Sequence, residues 1–255
     1  WAPAGPAQDA AAHLFVATGN STPLGSSTPG SLGEFVLRFN VMSGAPAHTI
    51  GTTADEFSPS DARTLDLQDL DIGSVSPVVL PTLAGGAVRL VQGGKAGVVY
   101  LLDASNLGGA TPVFTTRVSS GGIFGAMAAW SNGSDTLAFI PTRGTRASCG
   151  GSNGVMAMRA TPTGLTTAWC TAAVAAPNPP VVSSNGNNDA VLWVLGASTG
   201  VGSTPVLRAY EVSTGMEVYG NTEAPPSVRQ WVPPVVADGR VYVTGATSIA
   251  MYRLR

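Results

Sequence analysis

The stretch PPVVADGRVYV (233–243) decides the fold of this chain. Two short apolar runs flank the dipeptide Asp-Gly, which favours a tight two-residue turn between antiparallel strands. Both runs are rich in Val, a residue typical of strands, and the two leading prolines disfavour a helix. The stretch therefore predicts a β-hairpin.

The same arrangement recurs along the chain. A short apolar run follows a proline in SPVVLP (76–81) and PPVVSS (179–184), and FGAMAAW (124–130) is a weaker copy. Further apolar runs follow in each unit, for example VVYLLD (98–103) and VLRAYE (206–211). The units are about 43–56 residues long, close to the roughly 40–50 residues of a propeller blade with four antiparallel strands.

We count five such units. The first begins with HLFVATGN (13–20) and EFVLRFN (34–40), and the last (229–255) stops after its third run. The sequence therefore predicts an all-β chain, a single β-propeller domain (1–255) of about five four-stranded antiparallel blades. A β-sandwich fits the regular four-run units less well. Either five blades close the ring, or the chain is the C-terminal part of a larger propeller, which is the alternative that we expect.

Composition supports this fold and argues against several functions. The 255 residues include 32 Gly and 19 Pro, which disfavour helices, and 44 % are apolar, enough for a core. The net charge of −2 carries no signature of a nucleic-acid partner. No apolar run approaches the roughly 20 residues of a membrane span, so we expect none. One lysine among 13 basic residues hints at a GC-rich bacterial source.

The two cysteines suggest a disulfide. Cys149 falls between the second and third strands of the third unit, and Cys170 falls near the end of the fourth strand. In an antiparallel blade both positions lie at the same rim, within reach of a disulfide. The alternative is two unpaired buried thiols. A disulfide would suit an exported protein, either secreted or in the periplasm or at the cell surface.

Four stretches together resemble the pyrroloquinoline-quinone (PQQ) type β-propellers. They are VATGN (16–20), DLDIGSVSPVVLP (69–81), GGKAGVVYLLDASNLGG (93–109) and PPVVADGRVYV (233–243). The resemblance covers nearly all of the chain and implies the propeller fold. The family includes quinoprotein alcohol dehydrogenases and non-catalytic relatives, so the resemblance leaves both kinds of function open.

The resemblance also implies a site. In the family's dehydrogenases a quinone stacks on a Trp beside a Ca²⁺ ion, with an Asp as the base and a Lys or Arg on the quinone oxygens. The matching positions are Trp1 as the stacking floor, Asn20 as a Ca²⁺ ligand, Asp71 as the base and a further ligand, and Lys95 as the cation. Amide and carboxylate oxygens suit Ca²⁺, and a cation stabilises charge that develops on reduction.

Simpler structural roles compete with each assignment. Lys95 could be an exposed hairpin lysine, Asn20 a turn residue, and Asp71 an acceptor for backbone N–H groups. The family's remaining carboxylate ligand comes from an earlier blade, and the CxxCH haem motif and the adjacent cysteine pair are absent. We therefore interpret the chain as an exported, non-catalytic binding or assembly module, whose partner is a protein or missing propeller blades. The alternative is a PQQ- and Ca²⁺-dependent alcohol dehydrogenase or a subunit of one.

Overall fold

The computed structural model describes residues 3–21, 32–42, 47–196, 204–221 and 227–253. Within these ranges, regular structure consists almost entirely of short β-strands arranged in consecutive antiparallel sheets. We call these sheets blades and number them along the chain.

The first two blades each have four strands. Blade 1 contains β1 (Ala7–Gln8), β2 (His13–Ala17), β3 (Val36–Asn40) and β4 (Glu56–Phe57). A short helix, α1 (Ala62–Leu67), a 3₁₀ turn (Ile72–Ser74) and β5 (Val75–Ser76) connect it to the next blade. Blade 2 contains β6 (Val78–Val79), β7 (Arg89–Gln92), β8 (Val98–Asp103) and β9 (Phe114–Arg117), and a second 3₁₀ turn (Ala84–Gly86) lies between β6 and β7.

The other blades follow the same order. After β10 (Gly125–Ala126), blade 3 contains β11 (Ala128–Ser131), β12 (Thr136–Thr145), β13 (Ser152–Thr161) and β14 (Gly164–Cys170). Blade 4 contains β15 (Val181–Asn185), β16 (Asn188–Gly196), β17 (Val206–Glu211) and β18 (Glu217–Asn221). Blade 5 has three strands within the described residues: β19 (Val235–Ala237), β20 (Arg240–Thr244) and β21 (Ile249–Arg253).

The blades are arranged around an axis. Their first strands, β1, β6, β11, β15 and β19, each contact the next one in this order. The short strands β5 and β10, which lead into blades 2 and 3, pair in parallel. This arrangement confirms the predicted all-β architecture of four-stranded antiparallel blades, and the three strands described for blade 5 match the three runs of the last unit.

Each strand serves two cores. Successive side chains of a strand point to opposite faces of the sheet. In β7, Leu90 therefore packs in the core between blades 1 and 2, and Val91 packs in the core between blades 2 and 3. In β16, Leu192 packs toward blade 3 and Trp193 packs toward blade 5. Since each fully buried apolar side chain contributes about 1.5–3 kcal/mol, these interfaces hold the blades together.

The predicted disulfide is present. Cys149, in the loop between β12 and β13, is bonded to Cys170 at the end of β14, with the two Cα atoms 6.1 Å apart. The bond closes a loop with a sequence separation of 21 residues. Because such a link restricts the unfolded chain, it stabilises blade 3 by about 3 kcal/mol.

The helix content bears on the membrane prediction. Within the described ranges, no helix is both long enough and apolar enough to cross a bilayer. α1 has only six residues.

Candidate functional site at one end of the axis

The residues named by the resemblance lie at one end of the axis. Because neighbouring strands of a blade are antiparallel, the loop between the second and third strands lies at the same end as the segment that enters the first strand. Asn20 lies in such a loop after β2, and Lys95 lies in the loop between β7 and β8. Asp71 lies in the segment that leads into blade 2.

The side chains of Asn20, Asp71 and Lys95 meet through Asp69. Lys95 Nζ lies 2.7 Å from Asp69 Oδ1 and 2.6 Å from Asp71 Oδ1. Asn20 Nδ2 donates a hydrogen bond of 3.1 Å to the same Asp69 oxygen. The structure thus brings three of the four predicted site residues together, while the fourth, Trp1, lies outside the described residues.

The two aspartates differ in burial, and this decides the role of Lys95. The side chain of Asp69 is 71 % exposed, whereas that of Asp71 is 0 % exposed and that of Lys95 is 14 % exposed. A fully buried carboxylate is stable only beside a compensating charge. Lys95 is therefore not the exposed hairpin lysine of the simpler explanation, because its ammonium group neutralises a buried aspartate.

The pKa shifts of Lys95 and Asp69 both favour the charged forms of the ion-pair cluster that Lys95, Asp69 and Asp71 form. Burial lowers the pKa of Lys95, but hydrogen bonds to Asp69 and Asp71 outweigh this effect and raise the pKa above its usual value. The hydrogen bond from Lys95, and secondarily that from Asn20, holds the pKa of Asp69 below its usual value. Lys95 therefore stays charged at any physiological pH.

The backbone holds Asp71 against the Lys95 hairpin. The Lys95 N–H donates to the Asp71 carbonyl oxygen at 3.1 Å. Gln92, which is fully buried, donates from Nε2 to the carbonyl oxygens of Ile72 and Val75 at 2.8 and 3.0 Å. A Cβ atom at Gly73 would lie 2.5 Å from the carbonyl oxygen of Thr18, so glycine is required where this segment crosses blade 1.

Two buried carboxylates near this cluster were not found from the sequence. Glu34 Oε2 accepts the Ile72 N–H at 2.8 Å, and Asp66 Oδ1 accepts the Ser21 N–H at 2.7 Å. Burial raises the pKa of Glu34; the Ile72 hydrogen bond opposes this, the charges of Asp71 and Asp66 add to it, and the result is about 7. Neither residue lies in a motif with a recognisable spacing, so only the fold shows that Glu34 approaches both Asp71 and Asp66.

The residues suit a Ca²⁺ ligand set only in part. Asn20 Oδ1 is buried and accepts no hydrogen bond from the described residues, as a ligand oxygen would require. The charge of Asp71, however, is balanced by Lys95 Nζ at 2.6 Å. Among the described residues, no three His, Cys, Asp or Glu side chains are grouped to hold a metal ion. The proposed roles of Asn20, Asp71, Lys95 and Trp1 toward a quinone or Ca²⁺ stay predictions.

The ion-pair cluster makes a prediction about stability. The substitution Lys95→Met leaves the Asp71 carboxylate buried without a partner, so we expect the free energy of unfolding to fall by about 3–5 kcal/mol. Asp69→Asn removes only an exposed partner and should cost less than about 1 kcal/mol. Urea denaturation of the three proteins measures both effects.

The matched control is the double variant Lys95→Met/Asp71→Asn. It removes both buried charges, so it should recover most of the stability that Lys95→Met loses. Equal losses for Lys95→Met and Asp69→Asn would show that Asp71 does not depend on Lys95.

Glu34 makes a prediction about pH. Its pKa is about 7 in the folded protein, against an ordinary value of 4.5. The folded state therefore holds the proton more tightly, and stability falls as pH rises from about 4.5 to 7. Glu34→Gln should match the wild type at pH 4 and be more stable by roughly 3 kcal/mol at pH 8. Chemical denaturation at both pH values tests this, and a difference independent of pH would contradict it.

No known protein-family profile matches the chain. No curated protein matches it either.

Solved structures do match. The quinohemoprotein alcohol dehydrogenase of Comamonas testosteroni aligns with a TM-score of 0.55 at 14 % identity, over 91 % of this chain and 42 % of that one. BamB of Moraxella catarrhalis aligns with a TM-score of 0.52 at 15 % identity, over 94 % of this chain and 55 % of that one. The β-propeller domain of Cps50 (Swd1) of Myceliophteria thermophila aligns with a TM-score of 0.51 at 11 % identity, over 86 % and 64 %.

These matches concern the fold. The identities are low, and the chain spans about half the length of the first two proteins. What they share with this chain is the succession of antiparallel sheets around an axis. The chain therefore has a β-propeller fold.

Proposed function

We propose that this chain is a non-catalytic propeller module of an exported protein, and that it assembles with another protein through the outer face of blade 5. We define this face as the side of blade 5 that is turned away from blade 4. It carries Val235, Tyr242, Ile249 and Met251, with Arg240 and Arg253 at one end.

The observation that carries the proposal is the exposure of this face. Val235 is 56 % exposed, Met251 55 % and Ile249 70 %. Val235, Tyr242 and Met251 lie side by side across the three strands. A contiguous exposed patch of large apolar side chains is typical of a protein interaction site.

The other blades indicate the chemistry of the partner. The opposite face of blade 5 packs on blade 4, because Val241 and Val243 lie in the same apolar core as Trp193. Blades 1 to 4 are each covered by the apolar face of the following sheet. By continuity with these interfaces, the partner presents an apolar sheet face, as the outer face of blade 5 of another copy also does.

Two further features support this proposal. Lys95 is already neutralised by Asp69 and Asp71, and Asp71 is inaccessible to a substrate in this conformation. The disulfide between Cys149 and Cys170 suits an oxidising compartment outside the cytoplasm.

Sedimentation velocity tests the outer face of blade 5. In a solution of the purified chain, another copy is the protein available to cover this face, so we expect association that increases with concentration. The double substitution Ile249→Glu/Met251→Glu places two charges on the face and should leave a monomer.

The control for this experiment is Leu67→Glu. Leu67 lies on α1 and is also an exposed large apolar residue, but it is not on blade 5. This variant should associate as the wild type does. A wild-type chain that stays monomeric at every concentration, or equal loss of association in Leu67→Glu, would contradict the proposed interface.

One observation favours a second function, a PQQ- and Ca²⁺-dependent alcohol dehydrogenase or a subunit of one. Asn20, Asp71 and Lys95 converge although they are distant in sequence. In this function the quinone would supply the hydride acceptor. Asp71 would take the alcohol proton, Asn20 and Asp71 would hold Ca²⁺, Lys95 would stabilise charge on the quinone oxygens, and Trp1 would support the ring.

Titration with PQQ and CaCl₂ separates the two functions. For a non-catalytic module we expect no saturable change in the quinone absorption spectrum and no dye reduction when a primary alcohol is added. Saturable binding, with turnover that is lost in Asp71→Asn and in Asn20→Ala, would overturn our proposal. Circular dichroism of both variants controls for folding.

A further inference from the structure

A second charged cluster lies at the same end of the axis, between blades 3 and 5. The guanidinium carbon of Arg143, in β12, lies 4.6 Å from the ring centroid of Phe124 and 4.8 Å from that of Trp231. Arg143 Nη2 donates to Gln230 Oε1 at 3.1 Å. Two aromatic rings and one amide therefore hold a single guanidinium group.

Among the residues that the structure describes, no carboxylate pairs with the charge of Arg143. Four other arginines form ion pairs at 2.6–2.7 Å, namely Arg38, Arg89, Arg159 and Arg208. For Arg143, no such pair exists in the part of the chain that the structure describes, and its Nε is buried without an acceptor. Burial lowers the pKa of Arg143. Contact with ring faces compensates only part of the cost of a poorly solvated cation.

The protein keeps Trp231 in a strained position beside Arg143. Trp231 has φ +72°, in the left-handed region that bulky residues rarely adopt. Asn178, which is fully buried, accepts the Trp231 N–H at Oδ1 over 2.9 Å and donates from Nδ2 to the Arg229 carbonyl at 3.1 Å. A side chain in the core thus holds the loop, and Trp231 is left 38 % exposed. Strain of this kind is often stored where a protein binds a ligand.

This cluster adjoins the Lys95 hairpin. A Cβ atom at Gly122 would collide with the Phe124 ring and would lie 3.1 Å from the Cα atom of Lys95. Lys95 is already paired with Asp69 and Asp71, whereas Arg143 has no carboxylate partner among the described residues. An anionic ligand is therefore directed to Arg143 and not to the lysine.

We infer that Arg143, Phe124, Trp231 and Gln230 form a binding site for a carboxylate that is attached to an apolar or aromatic group. The planar guanidinium can donate two parallel hydrogen bonds to a carboxylate. The exposed indole offers an apolar surface beside that charge. The site is separate from the outer face of blade 5, so its test does not depend on the proposed interface. A peptide C-terminus and a free aromatic acid share this chemistry.

Calorimetric titration at low salt tests the site with three probes: benzoate, the peptide acetyl-Ala-Ala-Phe with a free carboxylate, and the same peptide as its amide. We expect saturable binding of at least one carboxylate and none of the amide. Binding of the peptide acid would identify a peptide terminus as the ligand, and binding of benzoate alone would identify a free acid. No saturable binding of either carboxylate, or equal binding of the amide, would overturn the inference.

Variants locate the binding. Arg143→Gln should weaken carboxylate binding by about tenfold or more, because charged hydrogen bonds are lost. Arg159→Gln is the matched control, since Arg159 pairs with Asp135 at a distance from the axis end and should bind as the wild type does. Trp231→Leu keeps the guanidinium and should weaken binding less, which tests the site even if Arg143→Gln does not fold. Unchanged affinity in both Arg143→Gln and Trp231→Leu would overturn the inference.

Discussion

The structure depends on one constraint: each blade must cover two apolar faces. A strand places alternate side chains on opposite sides of its sheet, so Leu90 and Val91, neighbours in the chain, belong to different cores. Each apolar face of a blade is stabilised when another sheet covers it. Blade 5 is covered on the side of Trp193, but none of the described residues covers its other side, which is why we look for its partner there.

The same antiparallel geometry gathers loops from different blades at one end of the axis and creates two charged clusters. In the first, Lys95 serves Asp71, which would otherwise be a buried charge without a partner. In the second, Arg143 is held by aromatic rings and lacks a carboxylate partner among the described residues. The two clusters differ in how their cations are paired. In the first, which links blades 1 and 2, the lysine is paired with carboxylates. In the second, the arginine has no such partner among the described residues and is therefore able to bind an anion.

Local sequence signals predicted much of the fold. The repeated apolar runs are strands in the structure. The Asp-Gly dipeptide before Arg240 joins two of these strands, β19 and β20, as a turn. The pairing of Cys149 with Cys170 followed from strand order, because order decides which rim a loop occupies. α1 was not predicted, since six residues are too few to show a helical apolar stripe.

The sequence by itself determined the hairpins and the blade repeat, because turn chemistry and alternation are local properties. The candidates Asn20, Asp71 and Lys95 were implied by its resemblance to the PQQ-type propellers. Only the tertiary structure decided that Asp69 joins these residues, that Glu34 approaches them, and that Arg143 meets Trp231. Contacts between distant segments and the burial of a charge depend on how whole sheets pack. Residue type alone does not show whether a carboxylate is buried or exposed.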